Sequence, residues 1–435
     1  MGKLIRDAVH KDMWFSSDEI ELIDTPQMQR LRGIKQLGHS YLVYPAAVHT
    51  RFEHSLGTCW MAKRILESLR TNGKKVDPHS ERIILASSLL HDITHIPFGH
   101  TFEDERRLFD RHDEDKERLS HQLDAAPLKT ILKRQGIYEE VASVLGAHGN
   151  GLPQYVYQIV AGTVCADLLD YLKRDAYFCG LSQFYDDRLF QYFTIDEGQF
   201  AIQLHKNGLF RHDALSELIN LLRIRYTLTE RVYYHHAKAV AAAMLSKALE
   251  IALESNRVNL GELLDLRDDS FLYVLRTRSR NRVVTNIIDA LENRCLYKRV
   301  YLLALRQDES PIGISSEEQQ RLVQLYHFNY QRARTQAETQ LAEKLGLPQG
   351  AVIIYCPSSK MALKEAAVPV KVDAEKLHSL AEFRNAEVTN LLEKHRRLWR
   401  FFVCIDRRYA DKFDLAGSKC EELFGQENML RREQL

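Results

Sequence analysis

Apolar residues recur at helical spacing through most of this chain. After an amphipathic entry over residues 1–23, in which Ile5, Val9, Trp14 and Phe15 are the buriable positions, Thr25-Pro26 fits a helix start, since proline is tolerated in a first turn. Met28, Leu31, Ile34 and Leu37 then repeat three residues apart, and Gly38 suits the end of that helix. Pro45 interrupts the next apolar segment, and a helix resumes near Arg51 and runs through CWMAKRILESL. Residues 71–79 (TNGKKVDPH) form a turn, and Glu81 to Leu90 an apolar helix that Pro97 and Gly99 help to end. The charged segment 102–123 reads as a solvated helix, and residues 127–147 as another. A further helix spans Val164 to Gly180, residues 192–204 form a β-hairpin turning at Asp196–Gly198, and Asp213 to Leu253 is helical again. Shorter helices are expected over 259–306.

Near Pro311 the pattern changes. Ser315 with Glu318 makes a capping box that opens a long polar helix to about Leu345. Strand patterns follow at 351–355, 368–372 and 399–405, with a helix over 380–394. The expectation is a mainly α protein: a helical core with a short β-hairpin over residues 1–310, and a smaller α+β C-terminal region over 311–435.

Composition narrows the class. At 435 residues, 45% hydrophobic and 27% charged, the chain is an ordinary globular mixture with room for a large core. Sixty Lys and Arg against 59 Asp and Glu leave no global field to attract nucleic acid or anionic membrane, so a polyanion has to be held by a local basic patch. Seven scattered cysteines without a Cys-x-x-Cys pair argue for reduced thiols and a cytoplasmic protein, and against a disulfide framework or zinc ribbon. The N-terminus carries charges where a signal peptide is apolar, and no apolar run reaches the roughly 18 residues of a membrane span.

The 18 histidines are the anomaly, because His91, His95, His100, His112 and His121 fall close together. SLLHDITHIPFGH (88–100) sets His91 and Asp92 side by side at a helix end, where neighbouring side chains can reach one ion. His54 and Asp167 lie on separate helices, and two imidazoles with two carboxylates suit Mn, Fe, Co, Ni, Zn or Mg. His112 beside Asp113 is a histidine among carboxylates, suited to hold a proton as a general acid or to pair charges on a surface. Asp167, Tyr171 and Asp175 form a polar stripe on an otherwise buriable helix. Arg223, Arg225 and Arg231 with Tyr226, Tyr233 and Tyr234 offer guanidinium forks beside aromatic faces, able to grip phosphate and stack a base or to form an Arg-rich surface.

His54, His91-Asp92 and Asp167 resemble, in order and spacing, the H…HD…D pattern of the HD-domain phosphohydrolases. DTPQMQRLRGIKQLG (24–38), RFEHSLG (51–57), LLHDITHIPFGH (89–100) and DLLDYLKRDAYFCG (167–180) resemble the branch of deoxynucleoside triphosphate triphosphohydrolases, the sterile-alpha-motif and HD-domain dNTPases and their bacterial relatives. On this resemblance the chain is expected to start at the catalytic part, with no room for a sterile-alpha-motif domain. The resemblance implies His54, His91, Asp92 and Asp167 as ligands of a divalent metal, and hydrolysis at an α-phosphate that releases inorganic triphosphate and a deoxynucleoside. It implies His112, followed by Asp113, as proton donor, with His95 and His100 flanking the phosphates. Arg51 and Arg225 match phosphate-binding arginines; Gln36, Leu37, Tyr171 and Asp175 match the sugar pocket, with Tyr233 as a wall near the base. Asp24, Gln29 and Arg32 match residues that hold an activating guanine nucleotide, GTP or dGTP, between subunits, which implies a homo-oligomer, dimer or tetramer. The chain departs from the branch at Leu168, where a triphosphate-facing lysine is usual, at Tyr234 for glutamine, Glu103 for aspartate and Arg6 for asparagine. Alternative readings are a phosphatase or nuclease on other nucleotides or single-stranded nucleic acid, and a nucleotide sensor without turnover.

Overall fold

The computed structural model describes residues 2–432, apart from 105, 113, 147–150, 307–311, 328–330, 360–362, 374–375 and 384. The amphipathic entry is a hairpin of β1 (Lys3–Asp7) and β2 (Lys11–Phe15), whose alternation buries Met13 and Phe15 and leaves Leu4 and Trp14 exposed. A Ser16–Glu19 capping box starts α1 (Ser17–Ile23), and the Thr25 side chain caps α2 (Pro26–Arg30). α2 is shorter than its apolar spacing suggests. The chain passes through a 3-10 turn at Leu31–Gly33 and becomes extended at Ile34. The Ile34 carbonyl accepts the Arg51 amide at 2.9 Å, and Lys35 bridges to Thr50, so tertiary pairing outweighs two further helical turns.

α3 (Arg51–Thr71) and α4 (Pro78–Leu90) pack together. The charged stretch after them is helical only from Lys116, because Glu103 and Arg106, both fully buried, are drawn inward into ion pairs. α5 (Lys116–Asp124), α6 (Leu128–Arg134) and α7 (Tyr138–Leu145) follow, and Gly136 at φ 69° divides the single helix expected over 127–147. α8 (Gln154–Ala161) leads to α9 (Ala166–Phe178), which packs against α3. That approach depends on Gly57, where a Cβ would lie 1.9 Å from Asp170 Oδ1.

The expected hairpin is present as β3 (Phe193–Asp196) and β4 (Gln199–Gln203), followed by the short pair β5 (His205–Lys206) and β6 (Leu209–Phe210). α10 (His212–Leu228), a π-helical turn over Thr229–Tyr233 and α11 (His236–Glu254) replace the continuous helix. α12 (Asp268–Arg278) and α13 (Arg282–Glu292) match the shorter helices, but β7 (Lys298–Ala304) is a strand where helix was expected. Its run Val300–Ala304 is buried, with Leu302 in one apolar cluster and Val300, Tyr301 and Leu303 in another, which suits a sheet covered on both faces.

The polar helix after Ser315 is two helices, α14 (Ser316–Tyr326) and α15 (Gln331–Leu345). β8 (Val352–Tyr355), β9 (Pro369–Lys371), β10 (Leu377–Ser379), α16 (Ala386–Arg396), β11 (Arg400–Ile405) and α17 (Phe413–Phe424) complete the chain. One sheet has the order β10-β9-β4-β3 and another β7-β11-β8, with Phe402 opposite Leu302 on one side and Tyr355 on the other. Strand pairing therefore runs across residue 310 in both sheets. The fold is mainly helical with a few small sheets, and α3, α4 and α9 lie in its largest apolar core.

Candidate metal centre and adjoining cleft

Each of the three central helices delivers a polar side chain near one end. Thr50 and Glu53 cap α3, so His54 sits one turn in; Asp77 caps α4, whose other end presents His91 and Asp92; and Asp167 lies in the first turn of α9, where the helix dipole favours a carboxylate. His54 Nε2 is 3.0 Å from Asp167 Oδ1 and 3.2 Å from His91 Nε2. His91 Nε2 is 3.7 Å from Asp167 Oδ1 and 3.5 Å from Asp92 Oδ1. The structure thus brings together all four residues expected as ligands, from segments up to 113 positions apart.

The opposite ring nitrogens show what this arrangement suits. His54 Nδ1 donates to Asp170 Oδ2 at 2.7 Å and His91 Nδ1 to the Ser88 carbonyl at 2.9 Å. Both acceptors need the Nδ1 proton, so in neutral rings the two Nε2 lone pairs face each other and the Asp167 carboxylate. A positive charge between them relieves this, either a proton on His54 or a divalent cation. Burial opposes a charge on His54, but hydrogen bonds to Asp167 and Asp170 and the field of Asp170 and Asp92 outweigh it and push its pKa up to about 10. The mixed N/O donor set fits a divalent metal.

Behind the ligands stands a buried charged layer. Asp170 accepts from Arg174 at 2.8 and 3.0 Å and lies 2.6 Å from His10 Nε2, while Arg174 also donates to Asp7 at 2.9 Å. Asp92 accepts from Arg51 at 2.7 Å and lies 3.1 Å from His95 Nε2. Burial alone would raise the Asp92 carboxyl, yet Arg51, His91 and His95 hold it well below the usual range.

His95 opens a second cluster. Its ring stacks on His112 with centroids 3.7 Å apart, and His100 Nδ1 and His112 Nδ1 each lie 3.1 Å from Glu103 Oε2. The other Glu103 oxygen accepts from Arg118 at 2.9 Å. Burial works against a charged His100, but Glu103 and Asp104 raise its pKa. Burial, then Arg51 and His112, keep His95 well below the ordinary value, so His95 is neutral. Asp113 lies outside the described residues. Among the described residues, His54–His91–Asp167 and His95–His100–Glu103–His112 are the groups whose donor atoms lie close enough to share an ion.

The polar stripe of α9 forms a shelf beside these clusters. Tyr171 meets His54 edge to face, and Arg225 stands over the rings of Tyr171 and Tyr233 at 5.5 and 5.0 Å. Asp175 binds Tyr233 OH at 2.7 Å and His49 Nε2 at 2.9 Å. Leu37 is buried, and Gln36 Oε1, Arg51 Nε and His95 Nδ1 are buried atoms without a hydrogen-bond partner. Asp24, Gln29 and Arg32 form a separate surface group: Arg32 Nε donates to Gln29 Oε1 at 2.8 Å, and Asp24 pairs with Lys3 at 3.6 Å.

Sequence reasoning missed several residues that hold the site. Asp170 and Arg174 were visible on the α9 helix but had no assigned partner, and Asp7, His10 and His49 carried no signal. Arg30, fully wrapped, donates to the Ile93 and His95 carbonyls at 2.7 Å each and fixes the turn after His91-Asp92. Its neighbour Arg32 drew attention instead because the exposed position fell within a resembling motif.

The HD-domain family model matches residues 51–175, which hold His54, His91, Asp92 and Asp167, and the HD-associated-region model matches 213–429. The chain belongs to the HD-domain phosphohydrolase family. Similar to this family member are an uncharacterized protein of Methanocaldococcus jannaschii, 32% identical over 305 residues (68% of this chain, 59% of that one), and the deoxynucleoside triphosphate triphosphohydrolase SAMHD1 homolog of Dictyostelium discoideum, 27% identical over 329 residues (71% and 62%). Deoxynucleoside triphosphate triphosphohydrolase SAMHD1 of Bos taurus is 28% identical over 347 residues (68% and 58%). The chain thus spans less than two thirds of the length of these curated relatives. A crystal structure titled as a phosphohydrolase of Bacteroides thetaiotaomicron shares the fold of this HD-domain protein with a TM-score of 0.70 at 21% identity, covering 93% of this chain and all of that one. No helix among the described residues is long and apolar enough to cross a membrane.

Proposed function

We propose that this HD-domain phosphohydrolase hydrolyses deoxynucleoside triphosphates at the α-phosphate, giving a deoxynucleoside and inorganic triphosphate. The observation that carries the reading is the facing pair His54 Nε2 and His91 Nε2, 3.2 Å apart with Asp167 beside them, next to the stacked His95–His112 pair. His54, His91, Asp92 and Asp167 would hold a divalent ion, which would supply Lewis acidity toward a phosphoryl oxygen and lower the pKa of a water. Arg51 neutralises Asp92 and faces the phosphates. His112, oriented by Glu103 through Nδ1, presents Nε2 as proton donor to the departing 5′-oxygen while the phosphorus–oxygen bond breaks and water adds to phosphorus. Gln36, Leu37, Tyr171 and Asp175 take the sugar and its 3′-hydroxyl, Tyr233, which donates to Asp175 at 2.7 Å, is a wall near the base, and Arg225 joins Arg51 on the phosphates.

Activation by a guanine nucleotide and assembly as a homo-oligomer are further parts of this proposal. They rest on the Asp24–Gln29–Arg32 group and on a separate cleft of about 370 Å³ whose lining includes His236, Arg294, Lys298, Arg299 and Arg407 and no acidic residue. Such a cleft suits a polyphosphate. One observation favours a second reading within the same chemistry: Leu168, in place of a triphosphate-facing lysine, is buried in the apolar core and offers no cation, which favours shorter phosphate chains or single-stranded nucleic acid. Product analysis against the four dNTPs, with and without GTP and across Mn, Fe, Co, Ni, Zn and Mg, decides. Inorganic triphosphate supports the first reading; single phosphate or a shortened oligonucleotide supports the second; tight binding without product leaves a sensor.

A further inference from the structure

The N-terminal hairpin reaches the metal centre through its tip. β1 and β2 pair with each other and, among the described residues, with no other strand, and Leu4, Ala8, Lys11 and Trp14 lie exposed. A two-stranded hairpin is marginal in water by itself, so this one depends on what it docks against. Met13 and Phe15, both fully buried, anchor it away from the turn. At the turn the anchors are polar. Asp7 accepts from the Val9 and His10 amides at 2.9 and 2.7 Å, which shapes the turn, and from Arg174 Nη1 at 2.9 Å. The His10 side chain turns inward, only 4% exposed, with Nε2 2.6 Å from Asp170 Oδ1.

Asp170 is where the tip meets the ligand set. A carboxylate only accepts, with about four lone-pair positions. Four donors take them here: His10 Nε2 at 2.6 Å and Arg174 Nη2 at 3.0 Å on Oδ1, His54 Nδ1 at 2.7 Å and Arg174 Nε at 2.8 Å on Oδ2. Asp170 is fully buried, so bulk water does not replace a donor lost from it. His10 and His54 are the donors that come from outside α9, and a carboxylate released by His10 is free to turn the oxygen that aims the His54 ring. We propose that His10 is a positioning residue of the metal centre, and that through it the hairpin tip docks in step with the metal. The inference rests on reading His54, His91, Asp92 and Asp167 as the ligands. Contacts behind a ligating histidine are worth about 10–100-fold in metal affinity. Such coupling is reciprocal: the factor that docking adds to metal affinity is the factor that the metal adds to docking.

The test compares wild type, H10L and H10Q by chelator competition for Co²⁺, by the absorption spectrum of the Co²⁺-loaded protein, and by hydrogen exchange of the tip amides with and without the ion. Leucine fills the space without a donor, whereas the glutamine amide sets an N–H near the place of the histidine Nε2. H10L should bind the ion about 10–100-fold more weakly and with an altered spectrum, and H10Q should stay within about threefold of wild type with the spectrum kept. In wild type the ion should slow exchange at the tip by about the factor that H10L loses, and in H10L it should leave exchange unchanged. D7N loosens the hold on Arg174 and leaves His10 in place, so it should weaken the ion in the same direction, and it carries the test if H10L does not fold. H10L with the affinity and spectrum of wild type overturns the inference even if its thermal midpoint falls, because His10 is then structural alone. Equal losses in H10L and H10Q, or wild-type tip exchange indifferent to the ion, also overturn it. If wild type takes up no ion, the ligand reading falls together with this inference. If H91A abolishes uptake while H10L keeps it in full, the ligand reading stands and the role of His10 alone falls.

Discussion

His54 Nδ1 and Asp170 Oδ2 are 2.7 Å apart, and that one contact sets the direction in which His54 Nε2 faces. Asp170 is itself held by Arg174 and His10, so the ring of His54 is positioned from behind by residues that no ion touches. Replacing Asp170 with Asn keeps the shape but weakens the acceptor. Outer-shell partners of this kind are worth about 10–100-fold in metal affinity. Asp170→Asn should therefore lose metal to a chelator at a concentration lower by that factor, measured by metal content after dialysis; an unchanged metal content would show that Asp170 does not tune the ring.

His112 separates binding from chemistry. If it gives the proton to the leaving oxygen, His112→Gln should lower kcat by about 10²–10⁴-fold. Metal content should stay the same, because the nearest contacts of His112 are His95, His100 and Glu103 rather than the ligand set. Loss of metal together with activity would move His112 to a different role.

The pH dependence has two opposite slopes. With the metal chelated, Asp167 and Asp170 hold the His54 proton up to about pH 10, against an ordinary value of 6.5. The stabilisation from that raised pKa is fully present below pH 6.5 and is lost as pH rises toward 10, so denaturant midpoints of chelated protein should fall across this window. Metal binding displaces the same proton, so metal affinity should rise with pH across the same window. Parallel chelator titrations and denaturation curves at several pH values test both, and a chelated protein whose midpoint is flat from pH 7 to 10 contradicts the assignment.

Gly57 is where helix packing meets the site. An alanine there would set its Cβ 1.9 Å from Asp170 Oδ1 and 2.5 Å from Arg174, both buried. Overpacking of this kind costs about 1–3 kcal/mol. Gly57→Ala should show that loss in urea denaturation together with weakened metal retention, because α9 carries Asp167 and Asp170 on the displaced face.

A second buried charged cluster ties the catalytic side to the C-terminal region. Arg106, in the loop between Glu103 and His112, donates to Glu250 at 2.9 Å and to Glu338 of α15. Lys247 shares both carboxylates. Glu338→Ala leaves Arg106 and Lys247 short of one buried partner, which should cost about 3–5 kcal/mol in unfolding free energy. A change under 1 kcal/mol would mean that water replaces the carboxylate.

Much of the candidate site is legible in the sequence. The helices of His54, His91 and Asp167 were placed correctly, since apolar spacing, Pro-led starts and glycine ends are local signals. The β-hairpin over 192–204 and three of the four C-terminal strands, β8, β9 and β11, are legible for the same reason, while the short β10 is not. The failures share a cause. β7 was read as helix, since only its pairing with β11 tells a short apolar strand from a buried helix. The helix after Pro26 was read as too long, because Lys35 pairs with Thr50 only once α3 is in place.

His54, His91-Asp92 and Asp167 as a donor set, on helices and with the order of an HD protein, are properties of residue identity and spacing, and these survive without tertiary structure. Partner choice does not. Asp170 to His54, Arg30 to the turn at Ile93–His95 and Asp175 to His49 join residues far apart in the chain. Each depends on how closely two elements approach, and Gly57 sets one such distance by having no side chain. Local pattern supplies the groups and the faces they occupy; close packing decides which of them meet.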